Sequence, residues 1–180
     1  AAIACRFFYQ DIGFFVMRYR MIFQDIQARG IEDKRVLAAM RRIPRHKFVP
    51  EAEQALAYAD RPVSVGFNQT ASQPYIVACM TELLKLTPND KVLEIATSSG
   101  YHTAILAEIV KEVYTVQIVE ELAATTEQRL QDFGYKNVHM RAGDGFLGWQ
   151  EHAPYDAILV RGAVAVIPPA LLEQLKPGGR

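Results

Sequence analysis

The sequence predicts an α/β fold built on a parallel sheet, and three observations predict it. From Tyr75 onward, short apolar runs alternate with longer stretches of helical spacing. Helices between successive strands imply right-handed crossovers, which return the chain in the same direction. Half of the 180 residues are apolar, enough to bury the core of one domain.

From Met21 to Ile43 apolar residues recur at helical spacing, broken by Gly30, with a second helix entered at the acidic pair Glu32-Asp33. Pro44 and Pro50 bracket a loop, and Tyr58 to Pro74 is long, polar and poorly periodic, the kind of loop where sites sit. Tyr75 to Leu86 reads as a helix and Thr87 to Asp90 as a turn. Strands are expected at Lys91–Ile95, Val113–Val119, Val138–Arg141 and Tyr155–Val160. Helices are expected at Tyr101–Val110, Glu120–Phe133 and Pro168–Leu175, the last closed by Pro177-Gly178-Gly179. No internal repeat or low-complexity segment interrupts this pattern.

Composition removes several classes of function. Lys and Arg together number 20, as do Asp and Glu, so no bulk charge draws the chain to a nucleic acid. The densest basic cluster, Arg41, Arg42, Arg45 and Lys47, reads as a solvated face. Two cysteines, Cys5 and Cys79, are too few for a disulfide framework and are expected as reduced thiols. The four histidines form no metal-binding spacing, so no metal is expected. No apolar run is long enough to span a membrane. Charges interrupt the aromatic segment of residues 1–20, and no small-residue cleavage site follows it, which makes a cytoplasmic location the default.

Ligands of open parallel sheets sit at the carboxyl ends of the strands, near the reversal of strand order. The first strand–loop–helix unit there is Val92-Leu93-Glu94-Ile95-Ala96-Thr97-Ser98-Ser99-Gly100. Its small residues allow close approach of a ligand, and they equally suit a tight turn. Gln117, at the end of the second strand, stands where a side chain could bond a ribose. Gly143-Asp144-Gly145 follows the third strand, where a carboxylate could meet an adenine amino group or simply make a turn.

Together with these segments, a dispersed set of motifs resembles the protein-L-isoaspartate O-methyltransferase family. It comprises Arg29-Gly30-Ile31, Val36-Leu37-Ala38-Ala39-Met40, Pro44-Arg45-His46-Lys47-Phe48-Val49-Pro50 and Ala57-Tyr58-Ala59-Asp60. Gln69-Thr70-Ala71-Ser72-Gln73-Pro74 follows and is the most specific block. Lys91 to Ile95, Gly143 to Gly145, Ala153 to Ile158 and Leu175 to Gly179 complete the set, in order, over residues 21–180.

The resemblance implies a Rossmann-like class I S-adenosylmethionine-dependent methyltransferase fold with a parallel sheet and an N-terminal helical extension, the domain running over residues 21–180 and residues 1–20 forming an extension to which the sequence assigns no structure. It implies S-adenosyl-L-methionine as methyl donor and isoaspartyl-containing proteins and peptides as acceptors, in protein repair, without nucleic-acid or membrane partners and as a monomer where the full-length chain is present. An acceptor carboxylate is already ionised at neutral pH, so the reaction needs positioning and no general base. Carried over residue by residue, Ser72, Thr70 and Gln69 would donate hydrogen bonds to the acceptor carboxylate, with Asp60 close by. Glu94, Thr97, Ser99 and Gly100 would surround the donor's amino-acid end and ribose, Gln117 would meet the ribose, and Asp144 and Gly145 the adenine. Ser72 also suits a helix N-cap, which does not exclude the other role.

The chain departs from the family at the donor loop. Ala96 and Ser98 replace glycines, which adds Cβ atoms and threatens disfavoured dihedrals. Gln117 replaces an acid, Asn68 a glycine or small polar residue, and Arg161-Gly162 a Thr-Ala pair. The alternative reading these suggest is a non-catalytic methyltransferase-like module with an impaired cofactor site. The family's pattern continues into further strands beyond Arg180, so the domain is expected to be truncated, with the strand at Tyr155–Val160 as an open edge.

Overall fold

The computed structural model describes residues 2–162 and 164–180, with side chains described from residue 11 onward. Cys5 lies outside the described side chains; Cys79 is a half-buried free thiol. The chain divides into two compact units, Ala1–Cys79 and Met80–Arg180.

In the first unit, helix α1 (Ala2–Met21) runs directly into a π-turn (Ile22–Ile26) and a 3-10 turn (Gln27–Arg29). Gly30, at φ 93°, ends the run in the left-handed region that a glycine enters without a Cβ clash. Helix α2 (Lys34–Arg42) begins where the Asp33 carboxylate accepts the backbone N–H groups of Arg35 and Val36. It buries Val36, Leu37, Ala39 and Met40 along one face.

The segment expected to be irregular contains a hairpin, strands β1 (Val63–Gly66) and β2 (Gln69–Ala71) paired antiparallel. Phe67 and Asn68 form its turn at φ 52° and 54°; two successive positive φ values match the twist of paired strands. Helix α3 (Pro74–Leu83) then crosses the boundary between the units. It ends three residues short of the expected Leu86, and Lys85 beyond it turns left-handed at φ 48°.

The second unit carries strands β3 (Lys91–Ile95), β4 (Glu112–Gln117), β5 (Val138–Ala142) and β6 (Ala157–Val160). They form one parallel sheet in the order β5-β4-β3-β6. Helices α4 (Tyr101–Ile109), α5 (Glu120–Asp132) and α6 (Pro169–Glu173) make or follow the crossovers. The chain enters at β3, steps outward to β4 and β5, and returns to the other side of β3. The carboxyl end of β3 therefore lies at the reversal, where such sheets open a ligand crevice.

Burial explains why β3 reads as a nearly unbroken apolar run: Val92, Leu93, Glu94 and Ile95 are all buried. On one side, Leu93, Ile95, Tyr114 and Val116 pack with Tyr155 and Leu171. The β6 edge is not left bare over its first half. Tyr155, Asp156 and Ile158 exchange backbone hydrogen bonds with Gln174, Lys176 and Arg180, so the open-edge expectation is corrected there. Tyr155 itself falls outside the strand, in a bridge to Leu175.

Candidate active site

In the first unit, the structure gathers the expected acceptor residues around one carboxylate. Asp60 Oδ1 accepts the Tyr75 backbone N–H at 3.0 Å, while Oδ2 accepts from Gln73 Nε2 at 2.8 Å and Arg29 Nη1 at 2.6 Å. Arg29 in turn lies 3.4 Å from the centroid of the Tyr75 ring. Because α3 starts at Pro74, Ser72 precedes the N-cap position, and Asp60 supplies the cap from 15 residues upstream. Asp60 thus supplies one of the acceptors at the start of α3. Ser72 is half-buried and Thr70 exposed on β2.

A second cation fixes the same segment from below. Arg45 is fully buried, donating from Nε to the Ala57 carbonyl and from Nη2 to the Ser72 carbonyl, each at 2.7 Å. Burying a guanidinium is costly unless its N–H groups find acceptors, and here Nε and Nη2 find them in the chain on both sides of Asp60. The basic cluster that holds Arg45 reads as a solvated face in the sequence, and at Arg45 the structure corrects that expectation, because this guanidinium is turned inward to backbone carbonyls.

In the second unit, a cleft of about 440 Å³ opens at the carboxyl ends of the strands. Ile95, Val116, Ile118 and Val160 supply apolar walls, with Asp144, Gly145 and Arg161 beside them. The expected donor residues separate into two groups. Asp144 and Gly145 line the cleft, whereas Glu94, Thr97, Ser99, Gly100 and Gln117 are buried and do not line it.

Asp144 is exposed, and its Oδ1 accepts the Phe146 N–H at 2.9 Å, which holds the turn Gly145–Leu147 in place. At Gly145 a Cβ would collide with Ile95 Cγ2, so only glycine lets this turn reach the end of β3.

The buried group forms a polar network beneath the loop. Glu94, at 0 % exposure, accepts from Thr103 Oγ1 at 2.5 Å and Thr115 Oγ1 at 2.9 Å, with Arg161 Nη1 at 3.5 Å from its other oxygen. Burial pushes the Glu94 carboxyl pKa up, against the opposing pull of Arg161 and the two hydroxyls. Thr97 Oγ1 meets Thr115 Oγ1 at 2.6 Å. Gln117 is 1 % exposed; its Oε1 accepts the Val119 N–H, while its buried Nε2 has no partner among the described groups. A buried amide donor of this kind suits an acceptor supplied by a ligand, such as a ribose oxygen.

The two departures in the loop carry the predicted backbone cost. Ala96 stands at φ 70° and Ser98 at φ 55°, both left-handed without being glycine. Each such residue costs about 1–2 kcal/mol relative to right-handed backbone. The cleft's apolar walls and the carboxylate at its rim fit an adenosyl group, with the orphaned Gln117 amide buried behind them. The residues that sequence reasoning did not assign here are the cleft walls, Ile118 above all: it is 70 % exposed directly after Gln117, a signal visible as an apolar residue just past a strand end. Among the described residues no cluster of His, Cys, Asp and Glu could hold a metal, and no helix is long and apolar enough to cross a membrane.

Comparison with known proteins places this architecture. The sequence profile of protein-L-isoaspartate(D-aspartate) O-methyltransferase matches residues 17–180. A protein-L-isoaspartate O-methyltransferase of a Picosynechococcus species is 56% identical over 163 residues, covering 91% of this chain and 73% of the relative. One from Syntrophobacter fumaroxidans is 57% identical over 148 residues, covering 82% and 60%. A solved protein-L-isoaspartate O-methyltransferase superposes with a TM-score of 0.81 at 27% identity, over 90% of this chain and 53% of that one. A Plasmodium falciparum structure in complex with S-adenosyl-L-homocysteine, with a TM-score of 0.74 at 21% identity, covers 88% of this chain and 79% of its own and shares the fold. This chain thus spans about half of the first solved structure and 60% to 73% of the two curated relatives. On the matched profile and these identities, the chain belongs to the protein-L-isoaspartate(D-aspartate) O-methyltransferase family.

Proposed function

We propose that residues 21–180 act as an S-adenosylmethionine-dependent carboxyl methyltransferase on isoaspartyl residues of damaged proteins. The single observation that carries this reading is the cleft at the strand reversal, with Asp144, Gly145 and Ile118 around it. When bound, S-adenosylmethionine supplies an electrophilic methyl group on a cationic sulfur.

The chain's own residues then bind and orient. Ile118 and the other apolar walls take the faces of the adenine, and Asp144 accepts from its amino group. Gln117 Nε2 donates to a ribose oxygen, reversing the polarity of the carboxylate usual at that position. On the acceptor side, the Thr70 and Ser72 hydroxyls hold the isoaspartyl carboxylate, and Asp60 and Arg45 fix the backbone that carries them. An ionised carboxylate needs no proton removed, so placement alone is asked of these groups. The same reading has the chain work as a monomer in the cytoplasm.

The test is transfer of a labelled methyl group to a synthetic isoaspartyl peptide, with the aspartyl isomer as control. A base-labile methyl ester on the isoaspartyl peptide alone is the expected result, and Asp144→Ala should raise the donor KM. Donor binding without ester on either peptide would instead favour the non-catalytic module.

A further inference from the structure

The donor loop is tied down by side chains along its whole length. The carbonyls of four consecutive residues each accept from a side chain: Ala96 and Thr97 from Arg161 Nη1 at 3.2 and 2.7 Å, Ser98 from Thr126 Oγ1 at 2.9 Å, and Ser99 from Arg129 Nη1 at 3.0 Å. Thr126 and Arg129 both come from α5, so two elements share the task.

Arg161 reaches the first of the two left-handed residues, Ala96, as Thr126 reaches the second, Ser98. Arg161 follows β6, and its own backbone N–H donates to the Ile95 carbonyl at 3.1 Å, which fixes its root against the end of β3. Its side chain is only 8% exposed, and the same Nη1 lies 3.5 Å from Glu94 Oε1. One buried guanidinium nitrogen therefore faces the carboxylate beneath the loop and the carbonyls of the two successive peptides that flank Thr97. Ala96 at φ 70° and Ser98 at φ 55° do not hold this geometry by intrinsic preference. Something else must over-determine it.

We propose that Arg161 is a positioning residue for the donor site: by binding the Ala96 and Thr97 carbonyls it holds a left-handed loop in the shape that donor binding requires. This rests on the donor-site reading above. It assigns Arg161 neither to attraction of an acidic acceptor nor to blockage of the site. Its effect passes through the loop, and it should matter most while residues 96 and 98 carry side chains.

The experiment is a double-mutant cycle on the 180-residue chain, Arg161→Met in the native background and in an Ala96→Gly/Ser98→Gly background. Two readouts are taken: S-adenosylhomocysteine affinity by calorimetry and the thermal midpoint without ligand. In the native background Arg161→Met should weaken binding about tenfold, the scale of one charged hydrogen bond. In the glycine background the loss should shrink below about threefold, and the drop in thermal midpoint should shrink with it. Arg161→Lys, which can still donate to one carbonyl, should recover part of the affinity.

Equal losses in both backgrounds would overturn the proposal, since a side chain that merely packs would not sense residues 96 and 98. Absence of S-adenosylhomocysteine binding by the native chain would instead overturn the donor-site reading. The midpoints measured without ligand would still decide whether Arg161 supports the loop: unequal drops support it, and equal drops refute it.

Discussion

The Asp60 carboxylate caps helix α3 through the Tyr75 backbone N–H at 3.0 Å, across 15 residues of sequence. With Gln73 and Arg29 on its other oxygen, both oxygens are engaged within the protein, so Asp60 shapes the acceptor segment from within. Asp60→Ala removes a helix cap and a charged acceptor together and should cost about 2 kcal/mol by urea denaturation. Arg29→Ala should cost less than about 1 kcal/mol, since Arg29 is 44% exposed and its ion pair is screened. In kinetics, Asp60→Ala should raise the peptide KM and leave the donor KM alone. A rise in donor KM of the same size would sink the assignment.

The strain at Ala96 gives a prediction of the opposite sign. Ala96→Gly removes a Cβ from a left-handed residue, and part of the gain is offset by the wider freedom of glycine in the unfolded chain. A net stabilisation of about 0.5–1 kcal/mol should raise the thermal midpoint by roughly 1–4 °C. Ser98→Gly should gain less, because a buried hydroxyl leaves with the strain. A midpoint unchanged or lowered by Ala96→Gly would show that the loop relaxes to another conformation.

Much of this fold is legible in the sequence, for reasons that differ from element to element. The central strand β3 can be read because burial on both faces makes Val92 to Ile95 a nearly unbroken run, whereas β5, half-buried and carrying His139 and Arg141, is read from its place between a helix and a turn. The β1–β2 hairpin escapes because its turn is Phe67-Asn68, and a left-handed Phe has no sequence signature. Motif likeness expected Glu94 and Thr97 around the donor, but the structure seals both in a hydroxyl–carboxylate network with Thr103 and Thr115. Support through a loop looks the same as contact when only the residue type is seen. Arg161 stood out only as a departure; its partners lie more than 60 residues away in the chain, beyond any local pattern.

Gly100 offers a steric test of the loop's other anchor. It stands at φ 84°, and a Cβ there would lie 2.7 Å from Thr126 Cγ2. Gly100→Ala therefore combines backbone strain with overpacking and should cost about 2–4 kcal/mol in chemical denaturation. Thr126→Ser removes the offending methyl and keeps the hydroxyl that donates to the Ser98 carbonyl. Added to Gly100→Ala, it should recover the steric part of the loss, about 1 kcal/mol or more, and leave the φ strain in place. No recovery in the double variant would mean that the clash is not with Thr126.

Stability in the first unit should depend on pH through His46. His46 is 6% exposed, stacked on Phe14 with ring centroids 4.0 Å apart, and hydrogen-bonded through Nδ1 with the Tyr58 hydroxyl at 2.8 Å. Burial, with Lys47 and Arg18 adding repulsion against a weaker pull from Asp11, lowers its pKa from 6.5 to about 4. Between those values the unfolded chain takes up a proton that the folded chain refuses, so stability falls as pH drops from 6.5 toward 4. Above 6.5 the ring is neutral in both states and contributes no pH dependence. The accumulated loss is on the order of 3 kcal/mol at the acid end of that window. His46→Gln should be less stable than the native chain at pH 7, having lost the stacked ring, yet should lose less stability on acidification. Urea denaturation from pH 7 to pH 4.5 decides it, because carboxylates titrate alike in both proteins and cancel in the difference. Parallel curves for the two would show that His46 is already accessible to protons in the fold.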